Sequence, residues 1–129
     1  MSDLLQSMVA ASSGMDAQTT RLRLVSENIA NADTPGFRRK TITFEEAYHD
    51  ADKRAVVPGR VFLDRTELEQ VYDPAHPMAD ESGYFEGSNV DLMIEMADAR
   101  EARRSYEANL RMFDQSRGML NALLDLLQR

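Results

Sequence analysis

The sequence predicts a mainly α-helical fold with a small β insertion: long N- and C-terminal helices forming an antiparallel coiled-coil pair, and a loop-rich β-hairpin segment between them. Three observations carry this. Apolar residues recur in alternating steps of four and three at both ends of the chain. A Thr34-Pro35-Gly36-Phe37 break ends the first run, and a Ser88-Asn89-Val90-Asp91 start opens the second. The middle between them has too little apolar sequence for a strong core of its own. The divisions that follow are 1–33 for the first helix, 34–88 for the insertion and 89–129 for the last helix.

The last forty residues dominate. Leu92, Met96, Ala99, Arg103, Tyr106, Leu110, Phe113, Arg117, Leu120, Leu124 and Leu127 follow the steps without a slip. That is a heptad seam, the pattern of a helix that buries a narrow stripe against other helices. No Pro interrupts it, and at about 1.5 Å per residue the helix is roughly 58 Å long. A chain of 129 residues cannot wrap a compact core around such a rod, so most of the stripe is expected to find partners elsewhere. Arg103 and Arg117 would be costly in a private pair unless paired or snorkelling, and they call for partners that bring carboxylates or amides.

The first helix is expected over residues 3–32, with Leu4, Met8, Ala11, Met15, Gln18, Leu22, Val25 and Ile29 on its seam and Ser2 or Asp3 as the cap. Ala11-Ser12-Ser13-Gly14 lowers its propensity, so it is expected to be marginal alone and stable when packed. Pro35 disfavours helix at Thr34, and Pro35-Gly36 suits the two central positions of a type II turn. In the insertion, Phe37 to Phe44 reads as a short strand, and Ala55 to Leu63 as strand, turn at Pro58-Gly59, strand. Glu67 to Tyr72 reads as a further strand, and Tyr72 to Pro77 and Asp80 to Phe85 as loops. Ser88 as N-cap with Asp91 three residues on makes a capping box for the long helix.

Composition narrows the function. The chain has 22 acidic and 15 basic residues, for a net charge of −7. Residues 41–88 hold eleven acidic against four basic, while the two ends are near neutral. The ends can therefore pack closely in an assembly, and the middle is solvated. No segment has the basic excess that nucleic acid needs. Without Cys there is no disulfide, thiolate nucleophile or thiolate metal site. The start lacks a basic region and a continuous apolar core, so no cleaved Sec signal is expected. No apolar run approaches the ~18 residues that span a bilayer.

Chemistry finds little support. His49, beside Glu45, Glu46 and Asp50, lacks a second His one turn away, as H-E-x-x-H requires. His76 lies between turn residues. Asp73, Asp80 and Glu81 match no calcium loop. There is no G-x-S-x-G, Gly-rich phosphate loop or G-x-G-x-x-G. No cofactor or small-molecule substrate is expected. Arg38-Arg39-Lys40 either meets phosphate or an acidic neighbour, or blunts a strand edge.

Longer stretches carry a resemblance. Leu24-Val-Ser-Glu-Asn-Ile-Ala-Asn-Ala-Asp-Thr-Pro-Gly-Phe37 resembles the N-terminal signature of the bacterial flagellar rod, hook and hook-associated proteins, through Asn28, Asn31, Thr34, Pro35, Gly36 and Phe37. Val71-Tyr-Asp-Pro-Ala-His-Pro-Met-Ala-Asp-Glu-Ser-Gly-Tyr84 (Tyr72, Pro74, Gly83, Tyr84), Asn89 to Met96 and Arg104 to Leu110 resemble a proximal-rod branch of that family. Residues 38–70 carry little of the resemblance. It implies a non-enzymatic structural subunit whose terminal helices stack as coiled-coil layers of a tubular drive shaft that transmits torque for motility. The implied partners are other proximal rod proteins, the MS ring and export-gate components, and the distal rod. The implied place is the basal body, in the rod crossing the periplasm, reached by type III export without a cleaved signal. The seam residues from Leu4 to Ile29 and from Leu92 to Leu127 are then the assembly interface. Rival readings are another short rod protein, a helical-hairpin export adaptor or chaperone and, weakest, a small metal-dependent hydrolase.

Overall fold

The computed structural model describes residues 1–50 and 53–129, with the side chains of 47–50, 53 and 54 excluded; the His49 side chain, weighed above as a ligand, lies outside the described residues. Helix α1 spans Ser2–Ala30 and helix α2 spans Leu92–Leu127. Between them come two two-stranded antiparallel sheets, β1 (Lys40–Asp50) with β2 (Lys53–Leu63) and β3 (Gln70–Tyr72) with β4 (Tyr84–Glu86). Among the described residues no helix is long and apolar enough to cross a membrane.

The two helices form an antiparallel pair, with Asn28 against Glu95 and Gly14 against Asn109. Their contact stripe is narrow and, apart from Leu24 and Val25, built from small and polar side chains. On α1 the buried residues are Ala11, Gly14, Ala17, Leu24, Val25 and Asn28; on α2 they are Glu95, Ala102 and Ser116. Small residues let two backbones approach closely. A Cβ added at Gly14 would lie 2.8 Å from the Asn109 side-chain amide.

β1 and β2 make a long ribbon that packs along α1, where the Val56 N–H donates to Ser13 Oγ at 3.0 Å. The Pro58-Gly59 pair was expected to turn the chain, and instead it lies inside β2. The register passes from Ile42↔Val61 to Phe44↔Pro58, so two residues of β2 oppose Thr43 alone, which is a β-bulge. Both strands of a two-stranded ribbon are edges, where Pro is tolerated. Gly59 admits Thr43, whose carbonyl would lie 2.8 Å from any Cβ there. β1 starts at Lys40 rather than Phe37, β3 is shorter than the expected 67–72 strand, and the expected 80–85 loop closes into β4. Asp80 makes that closure, accepting from the Ser82 N–H at 2.9 Å and the Tyr84 N–H at 3.0 Å.

Both helix starts differ from expectation. The N-cap of α1 is Met1, with no side-chain cap, so neither Ser2 nor Asp3 serves. α2 is capped by Asp91, which accepts from the Met93 N–H at 2.9 Å. Ser88 is instead buried, and its hydroxyl donates to the Ala32 carbonyl. Asn89 holds the intervening backbone extended. Its Oδ1 accepts from the Arg39 N–H at 2.6 Å and its Nδ2 donates to the Asp64 carbonyl at 3.0 Å. Those ties leave no helical start before residue 91.

Candidate assembly interface

Ala11 and Val25 of the α1 seam are buried as expected; most of the contact stripe, however, lies one residue before the periodic seam on each helix. On α2 the inward line runs Glu95, Asp98, Ala102, Ser105, Asn109 and Ser116, each one position before Met96, Ala99, Arg103, Tyr106, Leu110 and Arg117. On α1 it runs Gly14, Ala17, Arg21, Leu24 and Asn28, each one before Met15, Gln18, Leu22, Val25 and Ile29. One residue is about 100° around a helix. The large apolar side chains therefore lie on the flank of the pair.

Leu92 is 50% exposed, Leu124 41% and Leu127 73%; Met96 and Leu110 are exposed as well. Arg103 is exposed, and among the described residues Arg117 pairs only with Asp114 of its own helix, at 3.1 Å. Tyr106, Phe113 and Leu120 are half-buried. On α1, Leu4, Met8, Met15 and Leu22 are half-buried, Val25 is buried and Ile29 is exposed. Leu5 and Val9 add exposed apolar surface. The pair presents a long apolar flank.

Behind that flank sits a polar cluster that sequence reasoning did not find. Glu95 is fully buried. It accepts from the Arg39 guanidinium and from Asn28 Nδ2, the latter at 3.2 Å. Arg39 also reaches Asp98 at 2.6 Å and Asp64 at 3.7 Å, and Arg21 reaches Asp98 at 3.4 Å and Glu101 at 3.3 Å. Burial by itself would lower the Arg39 pKa; the hydrogen bond and charge of Glu95, then the charges of Asp98 and Asp64, outweigh it and raise the pKa above its ordinary value. Asp64 is held below the usual carboxylate range, chiefly by the Thr66 N–H that it accepts at 2.9 Å. The basic run thus meets acidic neighbours of its own chain. Lys40 pairs with Glu27 at 3.1 Å, and Arg38 donates to the Asp64 and Thr66 carbonyls. The signal available in sequence was a carboxylate, Glu95, one step off a seam. Among the described residues no group of three or more His, Cys, Asp or Glu could hold a metal ion.

The motif residues gather at two places. Asn28, Asn31, Thr34, Pro35, Gly36, Phe37 and Asn89 surround the exit of α1 and the approach to α2. Asn31 Nδ2 donates to the Glu27 carbonyl at 2.8 Å, and the Thr34 hydroxyl donates to Asn31 Oδ1 at 3.2 Å. The Phe37 N–H closes the turn on the Thr34 carbonyl at 3.2 Å, with Gly36 at φ 74°. The Gly36 N–H donates to the Gly87 carbonyl at 3.0 Å, and the Phe37 carbonyl accepts from the Asn89 N–H at 3.4 Å. Tyr72, Pro74, Gly83 and Tyr84 form the second group. Gly83 has φ 87°, and a Cβ there would lie 2.8 Å from the Tyr72 ring and 3.0 Å from Pro74.

Comparison with known proteins matches these same regions. The family model of the flagella basal body rod protein fits residues 8–38, which hold most of α1 and the turn. That of the flagellar basal body rod FlgEFG protein C-terminal region fits residues 81–126, which hold β4 and nearly all of α2. The flagellar basal-body rod protein FlgC of Agrobacterium fabrum is 47% identical over 92% of this chain and 91% of its own length. The chain belongs to the flagellar basal-body rod protein FlgC family. The FlgC of Aquifex aeolicus is 36% identical over 88% of this chain and 89% of its own length, and that of Salmonella typhimurium 32% identical over 97% and 98%. The two family models leave the β1–β2 ribbon outside their matches and fall on the helical pair and its junction.

Proposed function

We propose that this FlgC-family chain is a structural subunit of the proximal rod of the flagellar basal body, built into the tubular shaft through its terminal helices and transmitting torque. One observation carries this reading: the two helices pack on each other along a narrow stripe while Leu92, Met96, Leu110, Leu124 and Leu127 stay exposed. An apolar flank of that length fits neighbouring helices. The flank seats other proximal rod proteins; the MS ring with its export-gate components lies at one end of the stack and the distal rod at the other. The subunit takes its place in the periplasm-crossing rod.

The test uses a strain from which the gene is deleted. A tagged copy should restore swimming and should co-purify with detergent-extracted basal bodies. Swimming cells whose purified basal bodies lack the tagged chain would sink the proposal.

A further inference from the structure

Two surfaces of the insertion, away from the helical flank, are complementary in chemistry. The first is at the base of the β1–β2 ribbon. Val61, Phe62 and Leu63 close strand β2 and are 47%, 45% and 55% accessible; Val61 and Leu63 share one side of the strand and Phe62 with Arg60 the other, and all four line one concave edge with Arg38 and Arg65. Among the described residues none of these three arginines has a carboxylate partner, although the chain is acidic overall; Arg38 is tied to backbone carbonyls, and Arg60 and Arg65 to nothing.

The second surface is one face of the small β3–β4 sheet. The register pairs Tyr72 with Tyr84 and Gln70 with Glu86, and alternation puts all four on the same side. The opposite face carries Val71 and Phe85, half-buried, with His76 stacked on Phe85 at 4.0 Å. The Tyr72 and Tyr84 rings stand 5.0 Å apart and are exposed. Glu81 and Glu86, on either side of Tyr84, are exposed, and among the described residues neither side chain has a cation partner. One surface therefore offers aliphatic and Phe side chains ringed by guanidinium groups. The other offers two phenol rings flanked by carboxylates.

We propose that the Val61–Leu63 surface of one copy docks on the Tyr72–Tyr84 face of a second copy of this chain. Arginine meets both the carboxylates and the ring faces, and the apolar side chains meet the rings. The two surfaces are different, so the contact is heterologous and propagates from copy to copy instead of closing a symmetric dimer. The contact works beside the helical contacts, which hold the two surfaces close together.

The chain has no Cys, so introduced thiols report cleanly. Two differently tagged chains are co-expressed in the deletion strain, one with Phe62→Cys and one with Tyr72→Cys, and intact cells are oxidised. The expected product is a mixed-tag, disulfide-linked pair. Arg60→Glu with Arg65→Glu in the first chain should lower its yield by about tenfold or more through like-charge repulsion. Glu81→Arg with Glu86→Arg in the second should restore it. A second thiol pair, Leu63→Cys with Glu86→Cys, answers the same question where the first fails to accumulate. Swimming cells without the mixed pair overturn this contact and leave the rod reading intact. A cross-link between two like-tagged Phe62→Cys chains, or to a protein of another mass, overturns it too. If even the unsubstituted tagged chain is absent from basal bodies of swimming cells, the rod reading fails instead.

Discussion

Asn28 and Lys40 are joined twice: the Lys40 N–H donates to Asn28 Oδ1 at 2.9 Å, and Asn28 Nδ2 donates to the Lys40 carbonyl at 2.9 Å. The buried amide thereby occupies the place of a neighbouring strand at the edge of β1, and the same Nδ2 reaches Glu95 on α2. One side chain of α1 thus meets both other parts of the molecule. Asn28→Asp keeps the shape but removes both donated bonds and sets a carboxylate beside Glu95. It should destabilise the purified protein by about 1–3 kcal/mol in urea unfolding; an unchanged midpoint would mean that the amide does not join the three parts.

Arg39 and Glu95 make the ion pair at the centre of the cluster, with the Glu95 side chain wholly out of water. Arg39→Met leaves that carboxylate without its charge partner, and an unfolding loss of about 3–5 kcal/mol is expected. Arg39→Met combined with Glu95→Leu removes both charges and should recover most of it. A double variant as unstable as the single one would show that packing, not charge, holds the junction.

Leu124 separates assembly from folding. It is exposed in the single chain, so Leu124→Asp should change the stability of the purified protein by no more than about 0.5 kcal/mol. In cells it should be made normally and abolish swimming, because the carboxylate would enter a helix contact with a neighbour. Glu107→Ala, exposed and off the seam, should swim like wild type. Swimming Leu124→Asp cells would remove this flank from the interface.

Gly36 sits at φ 74° with nothing within 4 Å of an added Cβ, so a substitution there is resisted by backbone conformation alone. Gly36→Val should cost on the order of 1–2 kcal/mol and Gly36→Asn less. Because the Gly36 N–H also holds the Gly87 carbonyl, Val should re-aim the insertion and reduce basal-body yield more than helix content by circular dichroism. Equal yields for Val and Asn would count against that link.

The β3–β4 sheet should loosen in acid. Asp80 is held below the usual carboxylate range by the Tyr84 N–H, then by the Ser82 hydroxyl, against a small opposing effect of burial. A carboxylate with a lowered folded pKa contributes stability that is full above its unfolded pKa, near 3.8, and is lost as pH falls through the folded value. Amide exchange of Tyr84 and Phe85, extrapolated for intrinsic rates, should accelerate below pH 4 in wild type. In Asp80→Asn it should be fast already at neutral pH. A flat wild-type profile would contradict the assignment.

The helices were legible because step size survives any local detail. Which stripe each helix turns inward was not. Periodicity marks the large apolar residues, and here those lie one position beyond the contact, while Gly14, Ala17, Ala102 and Ser116 make the approach by being small. The fold class and the family followed from long motifs. The Pro58-Gly59 bulge was hidden because the same dipeptide serves a turn or an edge-strand irregularity, and the partner strand decides. Ser88 and Asp91 both suit an N-cap; the choice was made by Asn89, whose tertiary bonds hold residues 88–90 extended. Nothing local marks Glu95 as buried, since its partner Arg39 is far away in sequence.

The polar ties between the helices are all at one end. Arg21 to Asp98 and Glu101, and Asn28 to Glu95, fall within the half nearest the ribbon base. Among the described residues no hydrogen bond or ion pair joins α1 to α2 beyond Glu101, where Ala11, Gly14, Ala17 and Ser116 are buried and Phe113 shares a surface with Leu5, Met8 and Val9. Mechanically this is a pair of levers pinned at one end. Directional bonds fix the crossing at the pin. Toward the other end, sliding and splaying meet no directional resistance. Such levers can spread or close at the free end while the pinned end keeps the insertion at a constant angle.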